Sequence, residues 1–180
     1  MRKKGVIILT TLIVIVACVL AYAKVIGLHV TVLNRNEMSI ENNLQNKLKN
    51  DEYPMVYEYS VIRLKNADIV FYKSGVHSKL PNVYKGSESQ VFQKCFNYCL
   101  NFKYNQDNPN PNLLKDEGGN CQALSIMFKE LCEKNGLECK IILTEDHAYN
   151  EVILKNGDVY EVDITNKSIK EIGGREDEES

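Results

Sequence analysis

The chain has few of the residues that mark a metal-binding or nucleic-acid-binding protein. Among its 180 residues there is no tryptophan, there are three histidines, and no two cysteines are separated by two residues. Without a C-x-x-C pair or a His/Cys cluster at zinc spacing, no structural metal is expected, and nothing in the sequence asks for a cofactor. Basic charge is not in excess. The formal net charge is −2, and four of the 22 Lys+Arg (Arg2, Lys3, Lys4, Lys24) precede Val25, a stretch without acids. The remainder therefore carries 18 Lys+Arg against 24 Asp+Glu. With no basic stripe or aromatic platform elsewhere, this argues against a nucleic-acid partner. No internal repeat is visible, and the length suits one domain with a real core rather than two.

One long hydrophobic run is present. Met1-Arg2-Lys3-Lys4 precedes an uncharged apolar stretch from Gly5 to Ala23, long enough to cross a bilayer as a helix. Positive charge ahead of it keeps the amino end in the cytoplasm and sends the rest outward. Three fates follow. An uncleaved signal anchor gives a single-pass membrane protein. Cleavage after Ala23, at the A-x-A site Ala21-Tyr22-Ala23, gives a secreted one. Lipidation at Cys18 in the lipobox-like Ile15-Val16-Ala17-Cys18 is disfavoured, because apolar residues continue past the cysteine. All three put the domain outside the cytoplasmic membrane, as in an exported bacterial protein.

Five cysteines lie beyond that run: Cys95, Cys99, Cys121, Cys132 and Cys139. Export permits disulfides, and the odd number leaves at least one thiol free or paired between chains. Cys132 and Cys139 flank a helix-to-strand turn and are placed to meet. Cys95 and Cys99 sit one helical turn apart, as small apolar packing groups.

The sequence divides into a leader (1–24), an N-terminal extension (25–86), a core (87–172) and an acidic tail (173–180) expected to be solvated and frayed. In the extension, Val25 to Leu33 is β-branched and reads as a strand or as a continuation of the leader helix; its His29 is expected to pack. Ile40, Leu44 and Leu48 recur every four residues, predicting an amphipathic helix from Ser39 to Lys49 that packs or forms a stalk. Val56–Leu64 and Asp68–Tyr72 predict a hairpin about Lys65-Asn66. Its aromatics Tyr57, Tyr59, Phe71 and Tyr72 suit cross-strand packing better than a substrate groove. Ser87 to Gln90 fits a capping box, and Val91, Phe92, Cys95, Phe96, Cys99 and Leu100 form the apolar face of a helix running to about Tyr104. Asn105 to Asn112 is composed to stay irregular; its Asn and Asp side chains are read as turn formers rather than metal ligands.

The stretch from Gly118 to Thr165 carries the chemistry. Gly118-Gly119-Asn120-Cys121 is a tight loop leading into a helix whose apolar residues run from Ala123 to Cys132 and which Gly136 stops. Cys121 falls in the first turn. There, backbone N–H groups without intrahelical partners and the helix dipole favour negative charge, and the thiolate is the form that attacks. Cys139, Ile141 and Leu143 alternate as a strand behind that helix. His147 to Leu154 and Asp158 to Ile164 form a hairpin about Asn156-Gly157. A two-residue turn pairs Leu154 with Val159; a three-residue loop, with Gly157 in the left-handed region, pairs Leu154 with Asp158. Only the second puts Ala148, Asn150, Val152, Leu154, Tyr160, Val162 and Ile164 on one mostly apolar face. It also sets His147 diagonal to Asp163 on the other. Thiol, imidazole and carboxylate in this order suit a nucleophile, a base and an orienter.

Gly119-Asn120-Cys121, His147-Ala148-Tyr149-Asn150-Glu151-Val152 and Tyr160-x-Val162-Asp163 together resemble the transglutaminase-like superfamily, over roughly Gln90 to Thr165. The resemblance implies a papain-like α+β core with the cysteine at a helix N-terminus and an antiparallel sheet carrying the histidine and aspartate. It implies Cys121, His147 and Asp163 as the catalytic triad and no cofactor. The expected activity is acyl transfer on amides of a peptide, protein or cell-wall substrate, with hydrolysis favoured over cross-linking. Members also include inactive relatives, so a non-catalytic surface module is the alternative. The sequence departs from the pattern in having no tryptophan: the aromatic of the histidine strand is Tyr149, and an indole oxyanion donor is excluded. The Cys121 backbone N–H is the expected donor, with Gln122 and Tyr104 as weaker side-chain candidates. No calcium-site feature of the animal enzymes is seen. Arylamine N-acetyltransferases share the Cys-His-Asp logic, but they need a coenzyme A cleft and a longer chain.

Overall fold

The computed structural model describes residues 28–34, 39–48 and 56–174, together with Cys18, Tyr22 and Ala23. The rest of the apolar leader and the tail after Gly174 lie outside the described residues. So do the expectations about anchoring, cleavage and a frayed acidic end. Among the described residues no helix is long and apolar enough to cross a membrane.

The fold is α+β, with two antiparallel sheets. In the N-terminal part, strands β1 (Leu28–Asn34), β2 (Glu58–Arg63) and β3 (Ala67–Lys73) form a sheet in the order β1-β3-β2. Val25–Leu33 was open between strand and helix; its described part is strand. The β2–β3 hairpin forms as its alternation predicts. Helix α1 (Ile40–Leu48) packs on one face of this sheet. Its Leu44 and Leu48 are buried with Leu33, Val70 and Tyr72, so it packs instead of standing as a stalk. His29 stacks on Tyr72, ring centroids 5.1 Å apart.

Helix α2 (Glu88–Cys99) opens with the full capping box. Ser87 accepts from the Gln90 N–H, and the Gln90 side chain accepts from the Ser87 N–H. Its apolar face, Val91, Phe92, Cys95, Phe96 and Cys99, is buried as expected. The helix stops about one turn before Tyr104. The N–H groups of Asn101 and Phe102 bond three residues back, to Tyr98 and Cys99, and the Asn101 amide covers the Asn97 and Tyr98 carbonyls. Leu100 and Phe102 still pack on the core from the turn that follows, which is why the apolar pattern outlasts the helix.

The Asn-rich segment folds as a chain of Asx turns. Asn105, Asn108 and Asn110 each accept from the backbone N–H two residues on. A 3-10 turn (Pro111–Leu113) and the short α3 (Leu114–Glu117) then lead to α4 (Cys121–Lys134). Gly136, at φ +76°, ends α4: its N–H reaches the Glu133 carbonyl and that of Leu137 reaches Cys132, the paired bonds of a glycine C-cap.

Strands β4 (Glu138–Leu143), β5 (Ala148–Ile153), β6 (Val159–Asp163) and β7 (Ser168–Gly173) make the second sheet, in sequence order. The β5–β6 register pairs Val152 with Tyr160, the Leu154 N–H donates to the Asp158 carbonyl, and Gly157 has φ +95°. This is the three-residue loop. Ala148, Asn150, Val152, Leu154, Val162 and Ile164 are accordingly buried. Most of this face packs against α2 and α4 around Phe128 and Leu131, both fully buried; each such side chain contributes about 1.5–3 kcal/mol by leaving water. Leu143 departs from its expected alternation and is exposed. The segment after β3 joins this core too, through Val76, Leu80 and Tyr84.

All the described cysteines are free thiols. Cys95, Cys99, Cys132 and Cys139 are buried in the main core, with Cys132 beside both Cys95 and Cys139. The expected meeting of Cys132 and Cys139 is thus a thiol contact, and burial pushes the Cys99 and Cys132 thiols well up.

Candidate active site

Two local devices set the imidazole. The Thr144 hydroxyl accepts from the His147 N–H, and the Thr144 N–H donates to the His147 carbonyl, closing a tight turn immediately before β5. Asp163 ends β6 on the neighbouring strand. Because the odd positions share a face, His147 Nε2 lies 2.7 Å from Asp163 Oδ2. The carboxylate is held further by Asn166, whose N–H reaches Oδ1 at 3.0 Å and whose amide reaches Oδ2 at 2.6 Å. Burial pushes the Asp163 carboxyl up, but the Asn166 N–H, His147 and the Asn166 amide outweigh it, and the group lies below its ordinary value. It is therefore a carboxylate at neutral pH. An acceptor at Nε2 selects the tautomer protonated there and leaves Nδ1 as the basic nitrogen.

Cys121 is the first residue of α4. Asn120 caps the helix, accepting from the Ala123 N–H at 3.1 Å. The approach to Cys121 is clamped along its length by the 103–108 segment. Gly119 N–H donates to Lys103, the Asn120 N–H to Asn108 and the Asn105 N–H to Gly119, while the Asn108 amide takes the Gly118 carbonyl at 2.5 Å. The two glycines are needed for this closeness. A Cβ on Gly118, at φ +75°, would lie 2.3 Å from the Lys103 carbonyl oxygen, and one on Gly119 would lie 2.7 Å from Ala123 Cβ.

Helix and strand are then tied to one another. The Ser125 hydroxyl donates to the Ala148 carbonyl, and the Asn150 amide donates to the Ser125 carbonyl at 3.1 Å and the Lys140 carbonyl at 3.3 Å. Asn150 is completely buried. These bonds join the second turn of α4 to the residues just after His147. Cys121, partly buried, packs against the small cluster of Ile126 and Ala148, as do Val76 and Ile141. Imidazole and carboxylate are thus bonded, whereas no hydrogen bond joins Cys121 Sγ to His147 among the described residues.

Of the lesser candidates, Tyr149 stacks alongside His147 with ring centroids 6.3 Å apart. Tyr104 is exposed, bridges to Gly119, and lines a cavity of about 270 Å³ with Leu124, Ile164 and Lys167. The Gln122 amide is already engaged: its Nε2 donates to the Val56 carbonyl at 3.0 Å. Beside that contact, Asn112 donates to the Tyr57 hydroxyl at 3.2 Å. Burial, with the Glu58 charge, pushes that phenol up to about 12 against the effect of Asn112. The N-terminal part thus docks against the start of the cysteine helix, a contact no sequence pattern announces. Thr144, Asn166 and Ser125 were not anticipated as positioning residues either. Asn150 left one signal, as the polar side chain on an otherwise apolar face. Among the described residues, no cluster of three or more His, Cys, Asp or Glu is arranged to hold a metal ion.

Comparison with protein-family models, curated proteins and solved structures finds no match for this chain.

Proposed function

We propose that the chain is a transglutaminase-like cysteine acyl-transfer enzyme with a papain-like core, acting outside the cytoplasmic membrane on amide bonds of peptides, proteins or cell-wall material. The observation that carries this reading is the 2.7 Å bond from His147 Nε2 to Asp163 Oδ2, made beside a helix that begins on a partly exposed cysteine. In the reaction, His147 Nδ1 takes the proton from Cys121 Sγ while Asp163 steadies the resulting imidazolium. The thiolate attacks the amide carbonyl, and the oxyanion is met by N–H groups at the helix start. The C–N bond breaks, the imidazolium protonates the leaving amine, and a thioester remains on Cys121. Water or a second amine then resolves it; hydrolysis is the favoured outcome.

The test is the rate at which limiting iodoacetamide labels Cys121 at about pH 6, mapped by mass spectrometry. Selectivity over Cys95, Cys99, Cys132 and Cys139 reports only their burial, so the deciding comparison is with His147→Ala. The expected result is a loss of labelling by at least about tenfold, a threshold set below the roughly 100-fold or more that one general base supplies. An unchanged rate ends the proposal. It would favour the second reading, an inert surface module, for which the packing of Cys121 against Ile126 and Ala148 without a bond to His147 speaks.

A further inference from the structure

The three-stranded sheet has one face that α1 covers and one that is open. On the open face Val30 and Val32 of β1, Ile69 and Phe71 of β3, and Ser60 and Ile62 of β2 fall in two cross-strand rows, Val30–Phe71–Ser60 and Val32–Ile69–Ile62. Val30, Val32 and Ile62 are 58, 53 and 51% exposed. Strands that alternate between core and water carry polar residues on the wet side; here five of the open side's residues are apolar and Ser60 is the one polar member of the two rows. The charged pair on this face, Lys73 with Glu58 at 2.8 Å, lies at the end where β1 begins.

We infer that this open face rests on the lipid surface of the membrane from which the chain emerges. The first argument is reach. Only residues 24–27 separate the apolar run ending at Ala23 from the start of β1 at Leu28. Four residues span about 13–14 Å at full stretch, and the interfacial layer on each side of a bilayer is itself about 5–8 Å thick. A sheet tethered that closely is held at the headgroup boundary. The second argument is size. Three strands of this length present a face of roughly 300 Å², well short of the approximately 800 Å² per partner of a stable protein interface. A tethered face needs no such area, because the anchor keeps it at high local concentration against the lipid. The inference rests on the anchor reading of the leader and is independent of the Cys-His-Asp chemistry.

The absence of tryptophan makes the test direct. In the full chain, Val32→Trp and Ile62→Trp each add a single indole on the open face, and Val83→Trp adds one on an exposed loop away from it. Each is reconstituted into phosphatidylcholine vesicles, with or without bromine on the upper acyl chain, and the vesicles are floated. The expected result is loss of tryptophan emission in the brominated vesicles at positions 32 and 62 and none at 83. A chain that floats with equal emission in both lipids overturns the inference. So does blue-shifted emission without bromine quenching, which is the signature of a second copy or another segment covering the face. A chain that fails to float removes the anchor, and the inference with it. Neither failure touches the labelling test of Cys121.

Discussion

The two sheets follow the same alternation and use their second faces in opposite ways. In the four-stranded sheet one face is core and the other carries His147, Tyr149, Glu151, Glu161 and Asp163. In the three-stranded sheet one face is core and the other is mainly Val30, Val32, Ile62, Ile69 and Phe71, with Ser60 beside them and the Lys73–Glu58 pair at one end. A polar second face can hold a charged pair because water and neighbouring side chains support it. An apolar second face has no chemistry to offer and marks a contact surface. The difference separates the sheet that carries the imidazole–carboxylate pair from the sheet that offers a contact surface.

The largest effect should come from breaking the approach to Cys121. Gly118→Ala meets both a positive φ and the Lys103 carbonyl, and should cost on the order of 2–5 kcal/mol in urea unfolding. Next is the tie between helix and strand. Asn150→Ala leaves the buried Ser125 carbonyl without this donor and should cost about 1–3 kcal/mol. It should also slow Cys121 alkylation, because the same bonds hold α4 against β5. The matching change on the other sheet, Ile62→Thr on the open face, should shift the unfolding midpoint by less than about 0.5 kcal/mol. Equal costs at positions 150 and 62 would erase the contrast.

A subtler difference is in pH. The Asp163 carboxyl is lowered in the folded state, so the unfolded chain binds the proton more readily. Its contribution to stability is therefore full above the unfolded value, about 4, and is lost as pH falls through the lower folded value. The stability gap between the wild type and Asp163→Asn should be constant from neutral down to about pH 5 and shrink below that, as read by denaturant midpoints at stepped pH. A gap that grows on acidification would contradict the assigned partners.

The hairpin register was legible because only one pairing puts the apolar residues of both strands on one side, so packing chose between two turns that local chemistry allowed. The α2 capping box and the Gly136 stop were legible because both are local. The end of α2 was not: Phe102 continues the apolar rhythm while the backbone has already turned under the Asn101 side chain. The docking of Val56 and Tyr57 onto Gln122 and Asn112 was not legible either, since contacts 66 and 55 residues apart leave no period in the sequence. The order Cys121, His147, Asp163 suggested a unit, yet alternation within one hairpin relates only the last two. The place of the thiol is set by the packing of α4 on β5, which no pattern of residues encodes.

The measurement that bears most directly on the whole account is a double-mutant cycle of Cys121 alkylation rates across wild type, His147→Ala, Asp163→Ala and the double variant. If Asp163 acts only by orienting His147, its removal slows the wild type but has no further effect once the imidazole is gone, and the double variant equals His147→Ala. Losses that add independently, or a thiol indifferent to both substitutions, would show that the imidazole–carboxylate pair does not serve the sulfur.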